Sequence, residues 1–231
     1  VVDRPELTGV GGVPETQLGG ALVDRLPENL APAPWTCRCE AVVWLSRGGR
    51  AAAAATPSAV RGRALGVVGG FVRYAETPVG AYDEVLGLVA SAAGRRGWGS
   101  VAFMAVDSEA SLVGGRTNWA MPKTLASFTG GVGRGETFAA TGADERRWRV
   151  SATPVRVGPA LPVRLVGTAR QQFPGGAVGA AHLTGRGRVR PALVQVEVAS
   201  DGPLPAWLRP GRHLGAVIES GEFALDAPSP E

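Results

Sequence analysis

The chain is short of lysine. Its 231 residues include 24 lysines and arginines, and Lys123 is the single lysine among them. Cysteine and histidine are scarce as well, two of each. Two cysteines cannot build a disulfide framework, and Cys37-x-Cys39 lacks the further ligands of a zinc site. His182 and His213 form no metal-ligand pattern. No run of 18 apolar residues occurs, which excludes a transmembrane helix. The first twenty residues lack a basic stretch followed by an apolar one, so no secretory leader is expected. Reduced thiols then fit a cytoplasmic protein. Net charge is only +4, and acids interleave with most of the arginines. The alternating Arg186-Arg188-Arg190 has no interleaved aromatics, so neither nucleic acid nor a membrane is an expected partner.

What is present points to strands and turns. Hydrophobic residues make up 45% of the chain, enough for a substantial core. The 34 glycines and 18 prolines, set between Val-rich segments, mark many turns. Strand-like segments recur at Thr36–Leu45, Ala64–Ala75, Tyr82–Ala92, Ser100–Val106, Thr124–Phe128, Thr137–Thr141, Trp148–Thr153, Val163–Val166, Val189–Ala199 and Leu214–Leu225. Helical signals are few: one near Gln17–Leu26, the Ala-rich Ser46–Arg63 as a loop or a short helix, and one capped by Asp107 or Ser108. That last helix is expected to run through Val113 and end at Gly114-Gly115. The reading is one domain over residues 1–231, with 1–35 as an irregular N-terminal arm. Its class is α+β, predominantly antiparallel β, a sandwich or barrel with a few short helices.

The lone lysine draws attention for a chemical reason. Heavy use of Ala, Gly, Arg, Val and Pro matches G+C-rich coding, which favours arginine over lysine. Under that bias a surface cation becomes arginine at little physical cost. A lysine that must lose its proton cannot, because guanidinium stays charged at any working pH. Lys123 follows Trp119, Met121 and Pro122 in a loop that enters a strand. Apolar neighbours disfavour the ammonium, and a neutral amine can attack a carbonyl to form a Schiff base. The structural alternative puts Trp119 and Met121 in the core and lets Lys123 snorkel outward.

Two segments carry a family resemblance. Val79-Gly80-Ala81-Tyr82-Asp83-Glu84-Val85 resembles the G-P-Y-x-E strand of the acetoacetate decarboxylase family. Residues 106–123, with Asp107, Ala110, Gly115-Arg116, Trp119 and Pro122-Lys123, resemble that family's D-x-x-A-x-x-x-G-R-E-x-W-G-x-P-K-K signature. Both occur in the family's order, and the resemblance is strongest over Leu65 to Ala126. It implies a closed or cone-like β-barrel with small helices, assembled as a homo-oligomer. Lys123 matches the Schiff-base lysine and Glu84 the glutamate beside it. Arg38 is the best-placed match to an active-site arginine on an early strand. Arg116 either pairs structurally or reaches a substrate carboxylate. Met104 and Met121 are expected on the pocket wall.

Departures from the pattern bear on the chemistry. Thr124 stands where the family has a second lysine, Thr117 where it has Glu, and Ala120 where it has Gly. Without the adjacent lysine, a lowered lysine pKa would have to come from burial or from a nearby arginine. An ionised Glu84 would act the other way. The reaction implied is decarboxylation of a short β-keto acid through a Lys123 imine and enamine, with no cofactor or metal. Two alternatives remain: a pyruvate-type aldolase-dehydratase using the same imine, and an inactive barrel that binds a small ligand.

Overall fold

The computed structural model describes residues 4–143 and 147–231, so the first three residues of the expected arm lie outside it. The strands are β1 (Trp35–Arg47), β2 (Arg63–Glu76), β3 (Tyr82–Ala93), β4 (Arg96–Val106), β5 (Lys123–Thr129) and β6 (Phe138–Gly142). They continue with β7 (Trp148–Arg156), β8 (Leu161–Gln172), β9 (Val178–Ser200), β10 (Gly211–Leu225) and β11 (Ser229–Pro230). The helices are short: α1 (Pro5–Thr8), α2 (Gly20–Arg25), α3 (Arg50–Ala55), α4 (Glu109–Trp119) and α5 (Leu204–Leu208). Among the described residues, no helix is long and apolar enough to cross a membrane.

One mixed sheet runs β10-β1-β2-β3-β4-β5-β6-β7-β9, and β9 pairs back on β10, closing it into a ring. Strand β8 bridges β4 and β9 and so partitions the ring. The 23-residue β9 makes the partition possible. Residues 178–189 pair with β8, and residues 192–200 pair with β7. Pro191 sits where β9 changes partners. Its carbonyl accepts from the Val157 amide there, and no ladder donor is required of it at that edge.

The second half of β4 is thus buried on both faces, which is why Ser100–Val106 reads as an unbroken apolar run. Alternate residues serve two different cores. One face sends Trp44, Phe71, Val85 and Phe103 into a core with Phe138 and Trp148. Phe71 stacks on Phe138 at 4.9 Å, and Phe103 meets Trp148 edge-on at 5.0 Å. Large rings fill that side. The other face presents Cys37, Cys39, Val72, Tyr74, Tyr82 and Met104 to a second core. The side chains on this side, among them Trp35 and Trp119, do not fill it and leave a cavity.

The expected strands are all present, and the sheet is predominantly antiparallel as expected; β4 and β5 run parallel from Met104↔Lys123 to Val106↔Leu125. Parallel neighbours need a crossover, and α4 is that crossover. One expectation is corrected, since α4 does not stop at Gly114-Gly115. It continues to Trp119 and ends where Ala120 turns left-handed, with φ of 51°. The two glycines serve close packing inside the helix instead. Residues 4–35 carry α1 and α2 and bury Leu7, Val13, Leu22, Val23 and Leu26, so they are part of the packed structure.

Candidate active site

Helix α4 and the turn after it aim the lysine. The Ser108 hydroxyl caps the helix by accepting from the Ser111 amide at 3.2 Å. After the left-handed Ala120, Met121 and Pro122 lead straight into β5, so Lys123 is its first residue. The lysine stem lies across Gly115. A Cβ on Gly115 would stand 2.5 Å from both Cδ and Cε of Lys123, so only glycine leaves room for the stem. Arg116 holds the backbone. Its Nε donates to the Lys123 carbonyl at 2.6 Å, Nη1 to the Leu7 carbonyl at 2.5 Å, and Nη2 to the Thr16 carbonyl. One buried guanidinium therefore ties the N-terminal segment to the start of the lysine strand.

The amine ends among polar groups in an otherwise apolar chamber. Lys123 Nζ donates to Glu84 Oε2 at 2.9 Å and to Ser111 Oγ at 2.9 Å, and it lies 3.5 Å from the Tyr82 hydroxyl. The other Glu84 oxygen accepts from the Tyr74 hydroxyl at 3.2 Å. Tyr74 and Tyr82 face each other with ring centroids 4.4 Å apart. Lysine and glutamate are both almost wholly buried, at 3% and 2% exposure. Burial pulls the ammonium down, but Glu84, with Tyr82 behind it, outweighs that pull and holds Lys123 above its usual value. Burial pushes the Tyr82 phenol up to about 12, against the opposing field of Lys123. The Cys37 and Cys39 thiols are free, and burial pushes them up to about 12 and about 11.

The cavity holds about 280 Å³ and is bounded by β1, β2, β3, β4, β8, β9 and β10. Lys123, Glu84, Met104 and Met121 all border it, so the structure brings these four sequence candidates together. Arg38 is not with them. Along β1, Cys37 and Cys39 face the cavity, and the residue between them must face the other way. Arg38 is exposed and pairs with Glu76 at 2.9 Å. Arg116 lies under the lysine strand rather than in the cavity lining, so of its two readings the structural one describes its contacts. Among the described residues, no arginine lines the chamber. The lowered lysine pKa considered from sequence is also reversed here, because burial is complete yet Glu84 sits within hydrogen-bond reach.

Three residues went unassigned in the sequence reading: Ser111, Tyr74 and Tyr82. Two signals were available. Tyr82 lies two residues before Glu84 on one strand and must share its face. Ser111 lies one helical turn before Gly115, on the face that the lysine stem crosses. Tyr74 reaches the site only through the pairing Tyr74↔Tyr82, a register set by the turn between β2 and β3.

Comparison with known proteins agrees with this architecture. No protein-family model matches the sequence, and no curated protein matches it. Solved structures do match in shape. An acetoacetate decarboxylase from Legionella pneumophila superposes with a TM-score of 0.66 at 16% identity, covering 93% of this chain and 96% of that one. An acetoacetate decarboxylase-like enzyme from Sphingomonas wittichii gives 0.65 at 16% identity, over 87% and 94%. The enduracididine biosynthesis enzyme MppR, complexed with pyruvate, gives 0.64 at 17% identity, over 87% and 91%. The chain has the acetoacetate decarboxylase-like fold.

Proposed function

We propose that this protein is a Schiff-base-forming lyase that decarboxylates a short β-keto acid on Lys123. The observation that carries the reading is the 2.9 Å pair of the single lysine with Glu84, enclosed in an apolar cavity. The resting ammonium must first give up a proton, and Glu84 is the acceptor in reach. Transfer within the pair creates no new charge, and low dielectric favours the neutral partners that result. Neutral Nζ then attacks the ketone carbon. Glu84 returns its proton to the carbinolamine hydroxyl, which leaves as water, and a protonated imine remains.

The bond between the α-carbon and the carboxyl carbon then breaks. Its electron pair moves into the iminium to give the neutral enamine, and carbon dioxide departs. Proton transfer to the α-carbon regenerates the imine, and water hydrolyses it to a ketone and free lysine. No guanidinium among the described lining residues solvates the substrate carboxylate, so that group meets mostly apolar walls. A carboxylate held in low dielectric gains by leaving as neutral carbon dioxide. A second reading shares the first half of this path: the enamine of pyruvate adds to an aldehyde instead. The similarity to a structure complexed with pyruvate favours it.

Borohydride trapping tests both. With acetoacetate or pyruvate, intact mass and peptide mapping should find a reduced adduct on Lys123, lost without the keto acid and in Lys123→Ala. Lys123 is the single lysine of the sequence, so the terminal α-amine of the protein as prepared serves as the internal control. Carbon dioxide release with acetoacetate, against condensation with pyruvate, separates the two reactions. Folded protein that yields no Lys123 adduct with either compound would leave a ligand-binding barrel as the better description.

A further inference from the structure

The chamber is larger and more apolar than a four-carbon keto acid needs, and its polarity is one-sided. Tyr74, Tyr82, Glu84 and Lys123 gather at one end. Four residues along β3 from Glu84 comes Leu88, in register with Val68 of β2 and Val101 of β4, and all three border the cavity. At about 3.4 Å per residue, this apolar layer stands about 14 Å from the glutamate along the strand. Gly70 occupies the layer between them, opposite Leu86, and contributes no side chain to narrow the passage. A Cβ there would meet Val43 Cγ1 at 3.3 Å and Leu86 Cγ at 3.8 Å, both cavity-lining side chains.

From this arrangement we infer that the substrate is an amphipathic β-keto acid, with its carbonyl at Lys123 and an unbranched alkyl tail of about three carbons running toward Leu88. The inference rests on the Schiff-base reading of Lys123. Volume supports the size. At about 30 Å³ per small non-hydrogen atom, by analogy with liquid water, 280 Å³ accommodates about nine such atoms. Acetoacetate has seven and leaves about a quarter of the space unfilled. A six-carbon β-keto acid has nine. The far layer carries half-buried Val68 and Leu88, so a tail lying against it would cover apolar surface that solvent otherwise reaches.

Borohydride trapping with simple methyl ketones separates the tail from the decarboxylation step. Each added methylene is worth about 0.8 kcal/mol when buried, or about fourfold. Hexan-2-one has three more methylenes than acetone, so half-maximal trapping of Lys123 should need about 60-fold less of it. In Leu88→Phe, and independently in Val101→Phe, that ratio should fall below about tenfold. Either variant suffices if the other does not fold. Equal concentrations for acetone and hexan-2-one in the wild-type protein would overturn the tail while leaving the Schiff base standing. So would a ratio unmoved in a folded variant. Failure of every ketone to label Lys123 would overturn both.

Discussion

Replacing Glu84 by Gln should change the way stability depends on pH. In the wild-type protein, burial pulls Lys123 down, but the charges and hydrogen bonds of Glu84 and Tyr82 together hold it above its usual 10.5. A lysine whose folded value is raised contributes stability that is fully present below 10.5 and lost as pH climbs through the folded value. Lys123 titration should therefore leave wild-type stability unchanged between pH 7 and about 9.5, a window in which only the buried thiols of Cys37 and Cys39 begin to lower it, and above it Lys123, Tyr74 and Tyr82 add to the loss. In Glu84→Gln only burial and the hydroxyls of Ser111 and Tyr82 act on the amine, so its value drops below 10.5. The variant then carries a buried charge at neutral pH and should gain stability relative to the wild type as pH rises from 7 to 9.5, since the thiol contribution is common to both. Breaking a buried pair by removing one partner costs about 3–5 kcal/mol. At about 2–4 °C per kcal/mol for a chain of this length, Tm should fall by roughly 6–20 °C at pH 7. Thermal unfolding of both proteins from pH 7 to 9.5, followed by circular dichroism, measures the loss and the slope together. A loss under about 1 kcal/mol, or a variant whose slope matches the wild type, would refute the assignment of Glu84 as the group that keeps Lys123 charged.

Gly115→Ala should lower stability by about 1–3 kcal/mol through overpacking against the lysine stem, and should slow borohydride trapping on Lys123, read by mass spectrometry. Arg116→Met should cost at least about 3 kcal/mol in urea unfolding, because three buried carbonyls lose charged donors. Arg38→Ala, which breaks only an exposed pair, should cost well under 1 kcal/mol and leave trapping unchanged. Cys37 and Cys39, with thiols pushed up to about 12 and about 11, should resist iodoacetamide at pH 8 in the folded protein. Both should react promptly in urea, where their ordinary thiol acidity returns.

Part of this protein was legible from its sequence alone. Period-two apolar patterning located the strands, because side-chain direction along an extended chain is a local property. The lone lysine was legible because guanidinium cannot replace an amine that must lose a proton. The alternation Cys37-Arg38-Cys39 already implied that cysteines and arginine face opposite ways, so the outward Arg38 lay within reach of a local argument. Other features required tertiary contacts. The parallel approach of β4 and β5 brings Glu84 and Lys123, 39 residues apart, to 2.9 Å. That distance reverses the sign of the lysine's pKa shift, since Coulomb energy depends on separation and sequence carries none. The switch of β9 from β8 to β7 divides the closed sheet, so that one core is filled and a chamber remains in the other. Direction along a strand is set residue by residue, whereas register and closure are set by pairing between distant segments. Hence the sequence determined which residues could do chemistry, and the tertiary structure decided which of them meet.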